Sequence, residues 1–449
     1  MDLKMFLEGL NHNFTLFILF PAIVGIGIYL TLRLRFAQIT QMGRSFSCLV
    51  QKEQGQGNIS RFSALSAVLA GNFGTGNISG MAIAIATGGP GALVWMWVMA
   101  FFGAMIQYAS CILGVKYRQK NADGEYVGGP MFYLKDGLGY KTIAALFALF
   151  TLFGSVAVGN FAQINSVILP LEMMGLNPFI CSLVIGAAVA VVILGGIRRI
   201  ASFASYIVPF KALLYLGTAF LILALHADQI LPAVELMFRA AFNYQSAMGG
   251  ILGAGMLKAI TTGFDRGLFA TDAGTGIVPI LQAGARSKDP VIDGIATLAA
   301  PLMVMIVCTT TGLVLLVTGA WQVPGLQSTN MVTHAFTTGL GSLIGSYIVI
   351  VALILFAFTT ILAWAYCGEK ALGYLIGSEK GRMFRIVYIL LIPIGSMIHV
   401  GMIWTLADLA ITCMVIANLI GVMGLSRDVI DSSRNLKNSF LKAGDSPLR

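Results

Sequence analysis

The sequence predicts an all-α polytopic membrane protein of about eleven transmembrane helices. Three observations carry that expectation. Hydrophobic residues fill 57% of the 449 positions and charged residues only 10%, against about 25% charged in a soluble domain. So few charges cannot cover a water-exposed surface of this size. The apolar runs are long and unbroken, as at 14–32. That length suits helices of about 20 residues, not the alternating strands of a barrel, and only these two structures satisfy a backbone in lipid. Finally, the basic residues gather in alternate loops.

Taken in order, an extra helix at 14–33 comes first. Its start is nearly neutral and no small-residue cleavage site follows, so it reads as a span rather than a signal peptide. Spans at 62–87, 92–115, 142–171, 177–197 and 203–226 form a first half. Spans at 250–284, 293–319, 344–368, 384–402 and 404–424 form a second, and a tail follows at 425–449. The whole chain is read as one transmembrane domain, since its polar stretches reach only about 25 residues.

Eleven crossings put the termini on opposite faces, and the charges test this. One set of connections and the tail hold 23 of the 28 Lys and Arg residues, from Arg33, Arg35 and Arg44 through Lys116 and Arg118 to Arg427 and Arg449. The other side has Lys4 and Arg239. Basic loops stay cytoplasmic, so the N-terminus is expected outside and the C-terminus inside. The net charge of +9 is then a topology signal, and no nucleic-acid partner is needed to explain it.

Two spans carry glycine and small polar residues at their centres. The first reads Ala70-Gly71-Asn72-Phe73-Gly74-Thr75-Gly76-Asn77-Ile78-Ser79-Gly80, and the second reads Gly263-Phe264-Asp265-Arg266-Gly267-Leu268-Phe269-Ala270-Thr271-Asp272-Ala273-Gly274-Thr275-Gly276. They are the second and seventh crossings. Five crossings separate them, so the two halves insert in opposite senses, as in an inverted repeat. In such transporters paired broken helices meet near the midplane, where carbonyls face a cation and N–H groups face a carboxylate. Glycine at four-residue spacing is also how membrane helices pack closely.

The same stretches resemble the alanine or glycine:cation symporter family. The resemblance rests on Gly74-Thr75-Gly76-Asn77-Ile78, Gly88-Gly89-Pro90-Gly91-Ala92 with Trp95-Met96-Trp97, Lys116-Tyr117-Arg118, Arg266-Gly267-Leu268-Phe269, and Phe356-Ala357-Phe358-Thr359-Thr360 with Trp364. It covers nearly the whole chain in order. It implies the leucine-transporter type of five-plus-five inverted repeat with one extra helix in front, in a bacterial inner membrane.

It also implies a small neutral amino acid, alanine or glycine, carried with Na⁺; the alternative is a proton-coupled transporter of a different small amino acid on the same fold. Gly74, Thr75, Gly76 and Asn77 would offer donors to the substrate carboxylate. Gln163, Phe269, Thr360 and Trp364 would line the pocket, with the indole limiting side-chain volume. Gln163 equally reads as interhelical glue, and Trp364 as an interfacial anchor. The expected Na⁺ ligands are Gly71 with Thr359 and Thr360, then Asn77 with Thr271. Such hydroxyls also bond back onto their own helix.

Buried ionisable groups in a membrane are functional candidates. Asp272 could receive the substrate ammonium or a proton, or cap a half-helix beginning at Ala273. Asp408 qualifies, as do Asp265 and Arg266, which also read as a pair at a helix end. The chain departs from the family at Gln107, Ser110, Thr271, Asp272, Ile411 and Ala417, which bears on substrate preference and coupling ion.

Other classes fit poorly. There is no HExxH or GxSxG motif and no carboxylate cluster for an enzyme. The histidines (His12, His226, His334, His399) are isolated, and the scattered cysteines (Cys48, Cys111, Cys181, Cys308, Cys367, Cys413) read as small core residues. A channel calls for a continuous polar pore, whereas these breaks are local. No cofactor beyond Na⁺ as coupling ion is expected, and no protein partner; the lipid bilayer is the surroundings.

Overall fold

Where each helix starts and stops follows from the residues at its ends. The computed structural model describes residues 3–48, 55–242, 253–398 and 400–442. At the front, α1 (Leu3–Phe14) runs through one π turn, Thr15–Leu19, into α2 (Phe20–Arg33). The first crossing therefore starts well before residue 14. Asn11 and Thr15 had masked it as polar sequence, and both turn out to be buried.

The Ser60 hydroxyl accepts the Ser63 N–H and starts α3 (Arg61–Asn72), an N-cap that satisfies one orphan donor. The chain then breaks into a single 3₁₀ turn, Thr75–Asn77, before α4 (Ser79–Gly88). Gly89, at φ +73°, turns the chain ahead of α5 (Ala92–Lys116). A short antiparallel hairpin of β1 (Gln119–Lys120) and β2 (Tyr126–Val127) follows. Next, α6 (Lys141–Val156) and α7 (Ala162–Met173) are joined by a π turn, Ala157–Phe161. Asn177 caps α8 (Pro178–Ile193), and α9 (Gly196–Leu225) follows.

An amphipathic α10 (Ala227–Ala241) leads to the second broken pair, α11 (Gly253–Thr271) and α12 (Ile277–Gln282). Asp289 caps α13 (Pro290–Thr297), which continues into α14 (Ala299–Val317). Then come α15 (Ser328–Leu340), α16 (Ile344–Ile376), α17 (Phe384–Gly395), α18 (Val400–Gly424) and α19 (Ser426–Lys442). His399 and the loop around Lys52 lie outside the described residues.

Among the described residues, seven helical runs are long and apolar enough to cross a membrane. The expected spans at 62–87 and 250–284 are not among them because polar breaks interrupt both. Those at 177–197 and 384–402 yield helices of 16 and 12 residues, shorter than a bilayer core needs. Two further helices, α10 and α15, lie in stretches that had read as loops.

Packing then sets the breaks at the centre. The first broken helix is held between α9 and α16, and α11 lies along both α4 and α5. Asn72 links the two breaks directly, its amide donating 2.8 Å to the Thr271 carbonyl.

Candidate functional site

Gly74 and Gly76 have no room for side chains. A Cβ on Gly74 would sit 2.9 Å from the Thr360 hydroxyl and 3.1 Å from Gln163 Oε1, and one on Gly76 would sit 2.5 Å from the Phe269 ring. Three elements, α7, α11 and α16, thus converge on one turn of backbone. The sequence alone had named Gln163, Phe269 and Thr360 for this place.

Their polar contacts are specific. Gln163 Oε1 accepts both the Thr75 N–H and the Thr75 hydroxyl at 3.0 Å, while its amide donates to the Val158 carbonyl. The Thr360 hydroxyl donates to the Ala70 and Gly71 carbonyls, 2.9 and 3.1 Å away. These are the carbonyls that the end of α3 leaves without helical partners.

Trp364 lies one turn beyond Thr360 and is 1% exposed. It packs against Gly154 and Gly159 around the π turn between α6 and α7, which places it inside the protein and not at a lipid interface.

Asn77 donates 2.7 Å to the Asn72 carbonyl, and its own carbonyl accepts from Thr311. Thr271 bonds back to Gly267 at 2.7 Å, while the Oδ1 atoms of Asn72 and Asp272 are buried without a partner. Asn72 was missed in the sequence, although it stands within the first break.

Two sequence expectations need correction. Asp272 does not cap a half-helix starting at Ala273, because α12 begins only at Ile277, after Gly276 at φ +87°. Asp272 itself sits at φ +50°, and its carbonyl accepts the Thr275 hydroxyl. Nor do Asp265 and Arg266 pair with each other. Arg266 pairs with Asp408 on α18, and Asp265 accepts from Thr15 at 2.6 Å and from Asn11. Neighbours on a helix point about 100° apart, so each found a different element.

Above these pairs is a cavity of about 470 Å³ lined in part by Glu8, His12, Arg266, Trp404 and Asp408. Phe269 packs at a tilt of 41° against Trp404, with ring centres 4.7 Å apart, and touches the Gly76 turn. The two rings, with Arg266 5.0 Å from the Trp404 ring centre, thus lie between this cavity and the turn.

The sequence missed one residue here entirely. Lys211, in the middle of α9, is fully buried and donates to the Phe73 carbonyl at 2.7 Å and to the Thr359 hydroxyl. The sign was available, because an isolated lysine inside an apolar span is as costly as Asp272.

Residues 1–448 match the sodium:alanine symporter family. This chain belongs to that family. It is 40% identical over 415 residues to an uncharacterized transporter of Haemophilus influenzae, covering 92% of this chain and 91% of that one. It is 38% identical over 423 residues to the sodium/alanine symporter AgcS of Methanococcus maripaludis, covering 92% of each. In fold it is similar to a manganese transporter of Eremococcus coleocola, with a TM-score of 0.52 at 13% identity over 79% of this chain and 76% of that one. The family makes the chain a membrane-embedded Na⁺-coupled amino-acid symporter, which is a carrier and not an enzyme.

Proposed function

We propose that this symporter imports a small neutral amino acid, alanine or glycine, together with Na⁺ across a bacterial inner membrane. The observation that carries this reading is the crowding of Gln163, Phe269 and Thr360 onto the Gly74–Gly76 turn. Space around that turn is measured in single atoms, which favours a substrate with a methyl group or less.

In this reading the broken helices are equivalent parts of a five-plus-five inverted repeat, behind one extra helix. The Thr75 N–H and hydroxyl, now held by Gln163, turn to the substrate carboxylate. Asp272, with its free buried oxygen, receives the ammonium, and Trp364 limits the side chain. Na⁺ takes oxygens of the breaks, with Asn72, Asn77 and Thr271 as candidates beside the Gly71 carbonyl and Thr360. The N-terminus faces outward, so the cavity beside Glu8 and Asp408 is the outer vestibule.

The test is uptake of labelled alanine and glycine into proteoliposomes under an inward gradient of Na⁺, of H⁺ or of neither. Na⁺-driven accumulation that Thr360→Ala abolishes supports the assignment. Accumulation driven by protons alone moves the coupling role to Asp272. If neither amino acid accumulates under any gradient, the substrate reading is wrong.

A further inference from the structure

Thr359 was expected to hold a sodium ion together with carbonyls at the end of α3. What its hydroxyl meets instead is the Lys211 ammonium. The same Nζ donates 2.7 Å to the Phe73 carbonyl, one residue past the end of α3, where the helical ladder stops. It also lies 4.7 Å from the centre of the Phe356 ring and 5.9 Å from that of Phe73. A backbone carbonyl, a hydroxyl and two aromatic faces surround a single positive charge.

That is the coordination of a cation, supplied by the breaking helix and by α16, with the cation delivered from α9. No acidic side chain pairs with it among the described residues. Tyr215, on the same helix, pairs with Thr311, and Cys308 on α14 meets Asn77. Glu369 on α16 holds Lys370 and Arg385 and lies ten residues from Thr359, about 15 Å along the helix. An ammonium in the bilayer core without a counter-ion is costly, and here the Phe73 carbonyl, the Thr359 hydroxyl and the two ring faces are what offset that cost. A second cation at the same oxygens would be repelled strongly at this depth.

We propose that Lys211 is a tethered cation that fills one of the two ion positions of this symporter, the one between Phe73 and Thr359. The carrier then moves one coupling ion fewer than two empty positions would take. Na⁺ binds only at the other position, where the first break meets the second through Asn72 and Thr271 and Asn72 Oδ1 is buried without a partner. The inference rests on the ion-coupled reading above, but not on which amino acid is carried.

Two measurements decide it. In the first, the melting temperature of the purified protein is followed while Na⁺ replaces choline, in wild type and in Lys211→Ala. Each independent ion site adds its own stabilisation, so emptying the lysine position is expected to enlarge the Na⁺-dependent rise about twofold. A rise no larger than that of wild type overturns the proposal. The second uses wild type alone, so it stands even if Lys211→Ala fails to fold. The reversal potential of transport in proteoliposomes is expected to report one positive charge per zwitterionic amino acid, and two or more charges overturn the proposal. Absence of alanine and glycine uptake would refute the substrate reading only, because the melting comparison needs no substrate.

Discussion

Arg266 on α11 pairs with Asp408 on α18 across the floor of the cavity that Glu8 and His12 overlook. Their side chains are only 6% and 14% exposed, and each also keeps one polar atom without a partner, Nη1 of Arg266 and Oδ1 of Asp408. The pair ties the second broken helix to the last membrane helix, directly above the Phe269–Trp404 contact.

Breaking this pair from one side should be worse than removing it. Asp408→Asn leaves a buried guanidinium alone and is expected to lose about 3–5 kcal/mol of stability, whereas the double change Arg266→Met with Asp408→Leu recovers much of that loss. Thermal melting in detergent reads the difference. Single variants as stable as wild type would show that water reaches this pair freely.

Gly76 is expected to tolerate no side chain. In Gly76→Ala the new methyl lies 2.5 Å from the Phe269 ring, and overpacking of this kind costs about 1–3 kcal/mol. Uptake should fall sharply, and pairing the change with Phe269→Leu should restore the melting temperature. Normal melting and uptake in Gly76→Ala would mean that the turn and the ring do not touch.

Two glycines make a contrasting pair. A Cβ on Gly159 collides with Trp364 Cβ, whereas one on Gly217 meets nothing within 4 Å. Gly159→Ala should destabilise the joint between α6, α7 and α16. Gly217→Ala, in the interior of α9, should stabilise by about 0.5–1 kcal/mol. Melting curves of the two variants side by side are the check, and equal effects would remove the basis for calling the Trp364 contact tight.

The tail helix α19 should respond to acid. A hydrogen bond from Lys116, then one from Tyr117, hold the Asp428 carboxyl below the usual carboxylate range. A carboxylate lowered on folding contributes above its unfolded value of about 3.9 and loses that contribution as pH falls through its folded value. Docking of α19 on α5 should therefore hold from neutral pH down to about 4 and loosen only below it, and Asp428→Asn should remove that dependence. Hydrogen exchange along 426–436 at stepped pH measures it; loosening above pH 5 would point to another group.

Some of this was legible in the residues and some was not. The two breaks announced themselves because glycine, threonine and asparagine stand where a lipid-spanning helix wants leucine, and Gln163, Phe269 and Thr360 do meet at the first of them. The partners of charged residues were not legible. Arg266 sits beside Asp265 in sequence, yet its mate is 142 residues away, and periodicity gives no account of such a choice. Lys211 went unnoticed because its neighbours are so apolar that the span scored well without it. The front of α1 was lost for the opposite reason, since Asn11 and Thr15 look like solvent residues until Asp265 and Thr412 are placed against them.

The long sequence distance between Arg266 and Asp408 has a consequence for biogenesis. Charged residues at a helix centre each oppose insertion by about 2.5–3.5 kcal/mol, and the segment 253–282 brings Asp265, Arg266 and Asp272 besides Lys258 near its start. When it leaves the ribosome, Asn11 and Thr15 are already in place to receive Asp265, but Asp408 has not been made. The second broken segment is therefore expected to wait in or beside the translocon with an unanswered guanidinium, and truncation before α18 to strand it there as a target for quality-control proteolysis.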